Sequence, residues 1–382
     1  MSTLARARRA SVALLILGAC GTLHAHGDEP AAAARLPQRV ALLARAQAEL
    51  ERGDANAALD DFERAAMMLH AADAELGLIR AAMQDGQYRR ALAFCAHTAG
   101  EHVDVADGGV LYAWLLRIGG QSEQSSRTLA DVRAHAPEDA LVVAVDRALA
   151  ASTPVATGLL LEPPHRMAPW PVLLDAQAAP PASARFASSA VLVDEGASAL
   201  LPLASLPAPA PARAWVRDGL GRTTVASVDT SDATLASHGL ARLVLRAALP
   251  VGASRAAAGR APFAGSPAYA MQFGASDAPA WPALAQGFLG SLVGDTDVRK
   301  LGFDASPGAA VLDAKGVLVG VVSSASNGDA LWVPLSAVTP AASAQAATPV
   351  PTAHAGLALV APDEIYEAGL RRVLQVLVDH RP

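Results

Sequence analysis

Between about residues 37 and 150, apolar side chains recur at helical spacing, in Val40-Leu43-Ala46-Leu50, in Leu76-Leu78-Ile79-Ala82 and in Leu111-Trp114-Leu115. A glycine follows each stretch, and Gly53, Gly86 and Gly120 lie 33 and 34 residues apart. After each glycine the chain resumes in register, with Ala57-Ala58-Leu59 and Phe62, then Arg90-Ala91-Leu92 and Cys95, then Ser125-Ser126 and Leu129. The pattern predicts three helix pairs. Each glycine suits a tight inter-helix turn where left-handed backbone is needed, and Ala58, Ala91 and Ser125 are small because paired helices approach closely there. Cys95 reads as a small core residue.

From about residue 151 the pattern changes to short β-branched runs between prolines and glycines. Strands are expected at Gly158 to Leu161, Ala190 to Val193, Ala214 to Val216, Thr223 to Val225, Ala241 to Leu245, Ala268 to Phe273, Ala310 to Leu312 and Val317 to Val322. That count predicts an all-β barrel or sandwich, and Val311 to Val322 reads as a hairpin with Gly316 at its turn. Residues 341–360 lie in a stretch rich in alanine, proline and serine, which reads as a linker. In the tail, 361–382, Pro362 suits a helix N1 position and Asp363 and Glu364 its first turn. The remainder of the tail has two open readings: one continuous helix, or a helix ending near Arg372 and then a strand from Val373 to Val378.

Composition narrows the partners. The 382 residues imply two or three domains, and 52% hydrophobic against 17% charged residues exclude wholesale disorder. Net charge is −6 and the only lysines are Lys300 and Lys315, so there is no polycationic face for nucleic acid. Outside the N-terminus no apolar run reaches the roughly 18 residues of a membrane helix.

The N-terminus, 1–27, reads as an export signal: Arg6, Arg8 and Arg9 precede the apolar run from Ser11 to Ala19. Leu17-Gly18-Ala19-Cys20 resembles a bacterial lipobox, which implies acyl chains on Cys20 and a lipid anchor; cleavage after Gly27 is the competing route. Either leaves Cys95 without a disulfide partner and implies an envelope location, periplasmic or on an outer-membrane lipoprotein facing the periplasm.

The helical segment, 37–150, resembles a tetratricopeptide domain, which implies a concave groove for a protein or peptide partner. The hairpin at residues 311–322 resembles the segment after the catalytic serine in trypsin-like proteases of the HtrA type. That pattern puts Gly308 and Ala309 on the two glycines after the serine, Ala310 on the proline and Asp313 on the aspartate. Upstream, Val191 to Gly196 and Trp215 to Gly219 look like the strands flanking the catalytic histidine, and Gly239 to Leu245 like the strand after the catalytic aspartate. The resemblance covers 155–340 and implies a trypsin-like double β-barrel; Val373 to Val378 also resembles the opening strand of such barrels.

The same alignment puts Ala204 at the histidine, Gly239 at the aspartate and Pro307 at the serine. A hydroxyl nucleophile needs a base and the base an orienting carboxylate, and these three residues supply none of them. Pro307 also lacks the N–H that an oxyanion hole would use. A one-residue shift would bring Ser306 to the nucleophile position without supplying a histidine near Ala204. His238 and His165 are candidates for a rearranged base, read here as solvated loop histidines. His24 and His26 lack further clustered ligands, and His97 and His102 flank a helix end, so neither a metal site nor a cofactor is expected. Gly219-Leu220-Gly221 reads as a hairpin turn and Pro207 to Pro211 as a stiff spacer. The expectation is an α plus β multidomain protein, exported, acting as a binding or scaffolding module with an inactive trypsin-like domain. The alternative is an active trypsin-like serine endopeptidase with a misaligned or rearranged triad.

Overall fold

The computed structural model describes residues 29–252, 262–294, 296–324, 329–338 and 359–379, with side chains from residue 36 onward. The export segment, with Cys20, His24 and His26, and nearly all of the 341–360 linker lie outside the described residues.

Seven helices open the described chain: α1 (Glu29–Glu51), α2 (Ala55–Met68), α3 (Ala72–Asp85), α4 (Tyr88–Glu101), α5 (Ala106–Ile118), α6 (Ser122–His135) and α7 (Ala140–Leu149). Gly53, Gly86 and Gly120 sit between the members of three successive pairs with φ of 81°, 84° and 83°, the same left-handed turn each time. Ala58, Ala91, Ser125 and Cys95 are buried as expected, and the Ser125 hydroxyl donates to Ala113 O at 2.6 Å. Two expectations change. The apolar face of α1 runs through Leu42, Ala46 and Leu50 and leaves Val40 exposed. A seventh helix follows the three pairs because the Asp139 side chain caps it, accepting from Leu141 N and Val142 N, while Leu141, Val142 and Val145 bury against its neighbours.

The rest is β-rich. Strands β1 (Val172–Leu173), β2 (Ala184–Val193), β3 (Ser198–Pro202), β4 (Arg213–Asp218) and β5 (Arg222–Asp229) precede a short helix, α8 (Ala233–Ser237). Strands β6 (Leu240–Leu245), β7 (Pro267–Gln272), β8 (Ala283–Leu292), β9 (Arg299–Leu301), β10 (Ala310–Asp313), β11 (Leu318–Ser324) and β12 (Ala330–Pro334) follow, then α9 (Leu335–Val338), α10 (Pro362–Gly369) and β13 (Val373–Asp379). Strands β7 to β12 close one six-stranded antiparallel barrel. In the other, β5-β4-β13-β2-β3-β6 closes through the β5–β6 pairing, and β1 adds a short parallel edge to β5. Alternate inward residues of this barrel, among them Ala190, Leu192, Leu201, Val216, Leu243, Leu374 and Val376, form its core.

The tail therefore takes the helix-strand form. β13 enters between β2 and β4, with Leu374 opposite both Ala190 and Asp218, and Val376 opposite Ser188 and Val216. β-branched Val373, Val376 and Val378, all buried, favour the strand. Residues 158–161, expected as a strand, form a 3₁₀ turn instead, with Leu160 buried among the helices' apolar residues. A short apolar run does not by itself specify a strand, and this one has no ladder partner.

Helices and barrels share a single apolar cluster that runs from Ala46 through Trp114 and Trp170 to Tyr366 and Val373. The repeat turns point into it. A Cβ at Gly53 would overlap Val172, one at Gly86 would lie 3.2 Å from Leu220 Cδ1, and one at Gly120 would lie 3.1 Å from Leu284 O. The three glycines are thus required twice, for their φ and for the close approach of the barrels.

Candidate functional site at the barrel junction

The turn Ser306 to Ala309 leads into β10 and uses every backbone donor it has. Ser306 N–H donates to Gln272 Oε1 at 2.5 Å, Gly308 N–H to Val322 O at 2.7 Å and Ala309 N–H to Ser306 O at 3.1 Å, while Pro307 has no N–H. Gly308 has φ of 83°, and a Cβ there would overlap Ser189 O of the other barrel and lie 3.2 Å from Pro202 Cδ. The turn is therefore wedged where β3 ends. Pro202 continues into a 3₁₀ turn, Leu203–Ser205, that holds Ala204. Leu203 N–H donates to Gly239 O at 2.8 Å. Gly239, with φ of 69°, stands beside β11, where a Cβ would lie 3.1 Å from Ser323 Oγ, and that hydroxyl donates to His238 O at 3.2 Å.

Ala204, Gly239 and Pro307 are thus brought to one junction between the barrels. Together they provide no ionisable group and no hydroxyl. Ser306 is exposed, and among the described residues its hydroxyl has no hydrogen bond to a histidine. His238 is half-buried rather than fully solvated, its Nδ1 2.9 Å from Thr234 O and 3.3 Å from Ser237 Oγ. His165 is not a free loop histidine either: its Nδ1 lies 2.7 Å from Asp107 Oδ2 at the start of α5. His97 and His102 lie around the Glu75 carboxylate of α3 together with His70, a residue that no sequence motif singles out.

The strongest charges near the barrels are structural. Asp218 is fully buried and holds the β4–β5 turn, accepting from Leu220 N–H and Arg222 N–H at 3.0 Å and from Arg222 Nε at 2.7 Å. Burial pushes its carboxyl up, against the pull of the Arg222 guanidinium. Arg217, pushed down to about 10 by burial, donates to Gln375 Oε1 of β13 at 2.8 Å, and Gln375 Nε2 donates to Ala278 O at 2.9 Å. These contacts tie a loop to the strand rather than line a reaction centre.

The helical unit's expected groove is partly filled by the chain itself. On α3, buried Arg80 donates to Arg166 O at 3.2 Å, and Gln84 bonds both Trp170, accepting from its N–H at 2.8 Å, and Leu220, donating to its O at 2.7 Å. Residues 156–170, with Leu160, Met167 and Trp170 in the shared core, cover that helix face.

A helical-repeat unit followed by two closed six-stranded antiparallel barrels defines the class: α plus β, with a trypsin-like double barrel. No family model and no curated protein sequence matches the chain. Among solved structures it is similar to the apo crystal structure of the MamO protease domain from Magnetospirillum magneticum, at 23% identity, covering 41% of this chain and 88% of that chain, with a TM-score of 0.33.

Proposed function

We propose that this protein is an exported binding or scaffolding protein whose trypsin-like domain carries out no serine-protease chemistry. The observation that carries this reading is the turn Ser306 to Ala309. Its backbone donors are all engaged within the fold and its aligned nucleophile position is a proline, so there is neither an attacking oxygen nor an oxyanion hole there. Ala204 and Gly239 beside it supply neither base nor orienting carboxylate. The helices are read as tetratricopeptide-like on their 33- and 34-residue spacing and their three matching glycine turns. A protein or peptide partner is proposed for them, on faces other than the one residues 156–170 cover.

The proposed export rests on Arg6, Arg8, Arg9 and the apolar run to Ala19, with lipidation at Cys20 or cleavage after Gly27 as its two routes. The test of function is incubation of the purified full chain with unfolded casein and with a fluorogenic peptide library, alongside crosslinking in envelope fractions. No hydrolysis and a defined crosslinked protein are expected; turnover that Ser306→Ala abolishes would overturn the reading. For export, Cys20→Ser separates the two routes by its effect on membrane association.

A further inference from the structure

We infer that His70, Glu75, His97 and His102 form a binding site for one first-row divalent transition cation, of the zinc type, within the helical unit. The residues come from three places. His70 lies in the loop between α2 and α3, Glu75 in the first turn of α3, and His97 and His102 at the end of α4. Because α3 and α4 run antiparallel, the start of one meets the end of the other.

All three imidazoles present Nε2 to the same carboxylate. His70 Nε2 is 2.6 Å from Glu75 Oε1, His97 Nε2 is 3.7 Å from that oxygen, and His102 Nε2 is 3.5 Å from Glu75 Oε2. His70 Nε2 and His97 Nε2 are 3.3 Å apart, and ligand atoms of His70, Glu75 and His102 all lie within 4.8 Å of one another. Four ligands at about 2.0 to 2.1 Å around a tetrahedral zinc stand about 3.3 Å from each other. Three of the four separations already have that scale. The fourth, His70 to Glu75, is a hydrogen bond that opens on binding, and His70 sits on an exposed loop with 58% of its side chain accessible.

Two further observations point to a ligand. His102 Nε2 is buried with no hydrogen-bond partner, a state that costs free energy unless something fills it. Glu75 is 4% exposed, and among the described residues no arginine or lysine pairs with it. Thr98, itself fully buried, donates its hydroxyl to Glu75 Oε2 at 2.7 Å and so fixes the carboxylate, as outer partners fix metal ligands. Three imidazoles and one carboxylate suit zinc and its first-row neighbours and do not suit calcium or magnesium, which take oxygen ligands. Bound there, the cation would pin the α2–α3 loop to the end of α4.

The test uses the full chain, freed of metal by a chelator and titrated with Zn²⁺ against a chromophoric competitor, and with Co²⁺ followed by visible absorption. One equivalent of each is expected, with a tetrahedral Co²⁺ spectrum and no displacement by millimolar Ca²⁺ or Mg²⁺. His70→Ala and His102→Ala should each lower affinity at least tenfold; a double variant, His24→Ala with His26→Ala, and His238→Ala should leave it unchanged. Circular dichroism checks folding, and if His102→Ala unfolds, the exposed His70→Ala decides. Absence of 1:1 binding, or binding indifferent to His70→Ala, would overturn the inference.

Discussion

The rings of Tyr88 in α4 and Tyr366 in α10 lie with centroids 4.3 Å apart and planes inclined by 51°, both fully buried. Each hydroxyl is satisfied elsewhere: Tyr88 donates to Leu115 O at 2.9 Å and Tyr366 to Pro282 O at 2.8 Å. The pair joins the repeat helices to the helix that delivers β13, while Arg89, 3.0 Å from Glu364 and 3.2 Å from Glu367, closes the exposed edge. Replacing Tyr366 by Ala removes a buried aromatic and is expected to cost about 3–5 kcal/mol. A double-mutant cycle with Tyr88→Ala should give a coupling of about 0.5–1.5 kcal/mol, read by denaturant unfolding. Additivity of the two would mean that helices and barrels do not depend on this contact.

Alkaline pH should loosen the same joint. Burial pushes the hydroxyls of Tyr88 and Tyr366 and the Cys95 thiol above their ordinary values. Each raised group keeps its proton in the folded chain after the unfolded chain has lost it, so stability is full below the unfolded value and falls as pH rises beyond it. The decline should begin near pH 8.5–9 with Cys95 and steepen near pH 10 with the tyrosines, at about 1.4 kcal/mol per pH unit for each group. Denaturation midpoints between pH 7 and 11 measure it, and Cys95→Ala should remove the first part of the fall.

The repeat glycines give a test of the docked helical edge. Gly120 has φ of 83°, and a Cβ there would lie 3.1 Å from Leu284 O in the second barrel. Gly120→Ala is expected to destabilise the chain by about 1–3 kcal/mol, from left-handed strain and displaced backbone. The exposed, helical Gly100 has open space around its Cβ, so Gly100→Ala should stabilise by about 0.5–1 kcal/mol. Thermal unfolding of the two variants separates backbone need from composition.

Much of the architecture is written in local chemistry. Gly53, Gly86 and Gly120 announce their turns because other residues rarely hold that φ, and Gly316, with φ of 72°, does the same for the β10–β11 hairpin. The strands at β8 and β9 escape a linear reading: β8 carries Gly287, Gly290 and Gln286 with no clean alternation, and β9 has only three residues. The place of β13 depends on partners 160 to 190 positions earlier, such as Val216 and Ala190, which no local pattern encodes. The junction positions Ala204, Gly239 and Pro307 were readable from a family pattern and converge in space. His70, Glu75, His97 and His102 have no motif spacing; only the antiparallel pairing of α3 and α4 brings them together.

Labelling with a fluorophosphonate probe tests the loss of serine-protease chemistry most directly. The folded full chain should remain unlabelled, because Ser306 has no histidine bonded to its hydroxyl and the donors of its turn are engaged by Gln272, Val322 and Ser306 itself. Labelling of the wild type that disappears in Ser306→Ala would contradict this, and would place an activated serine at the barrel junction.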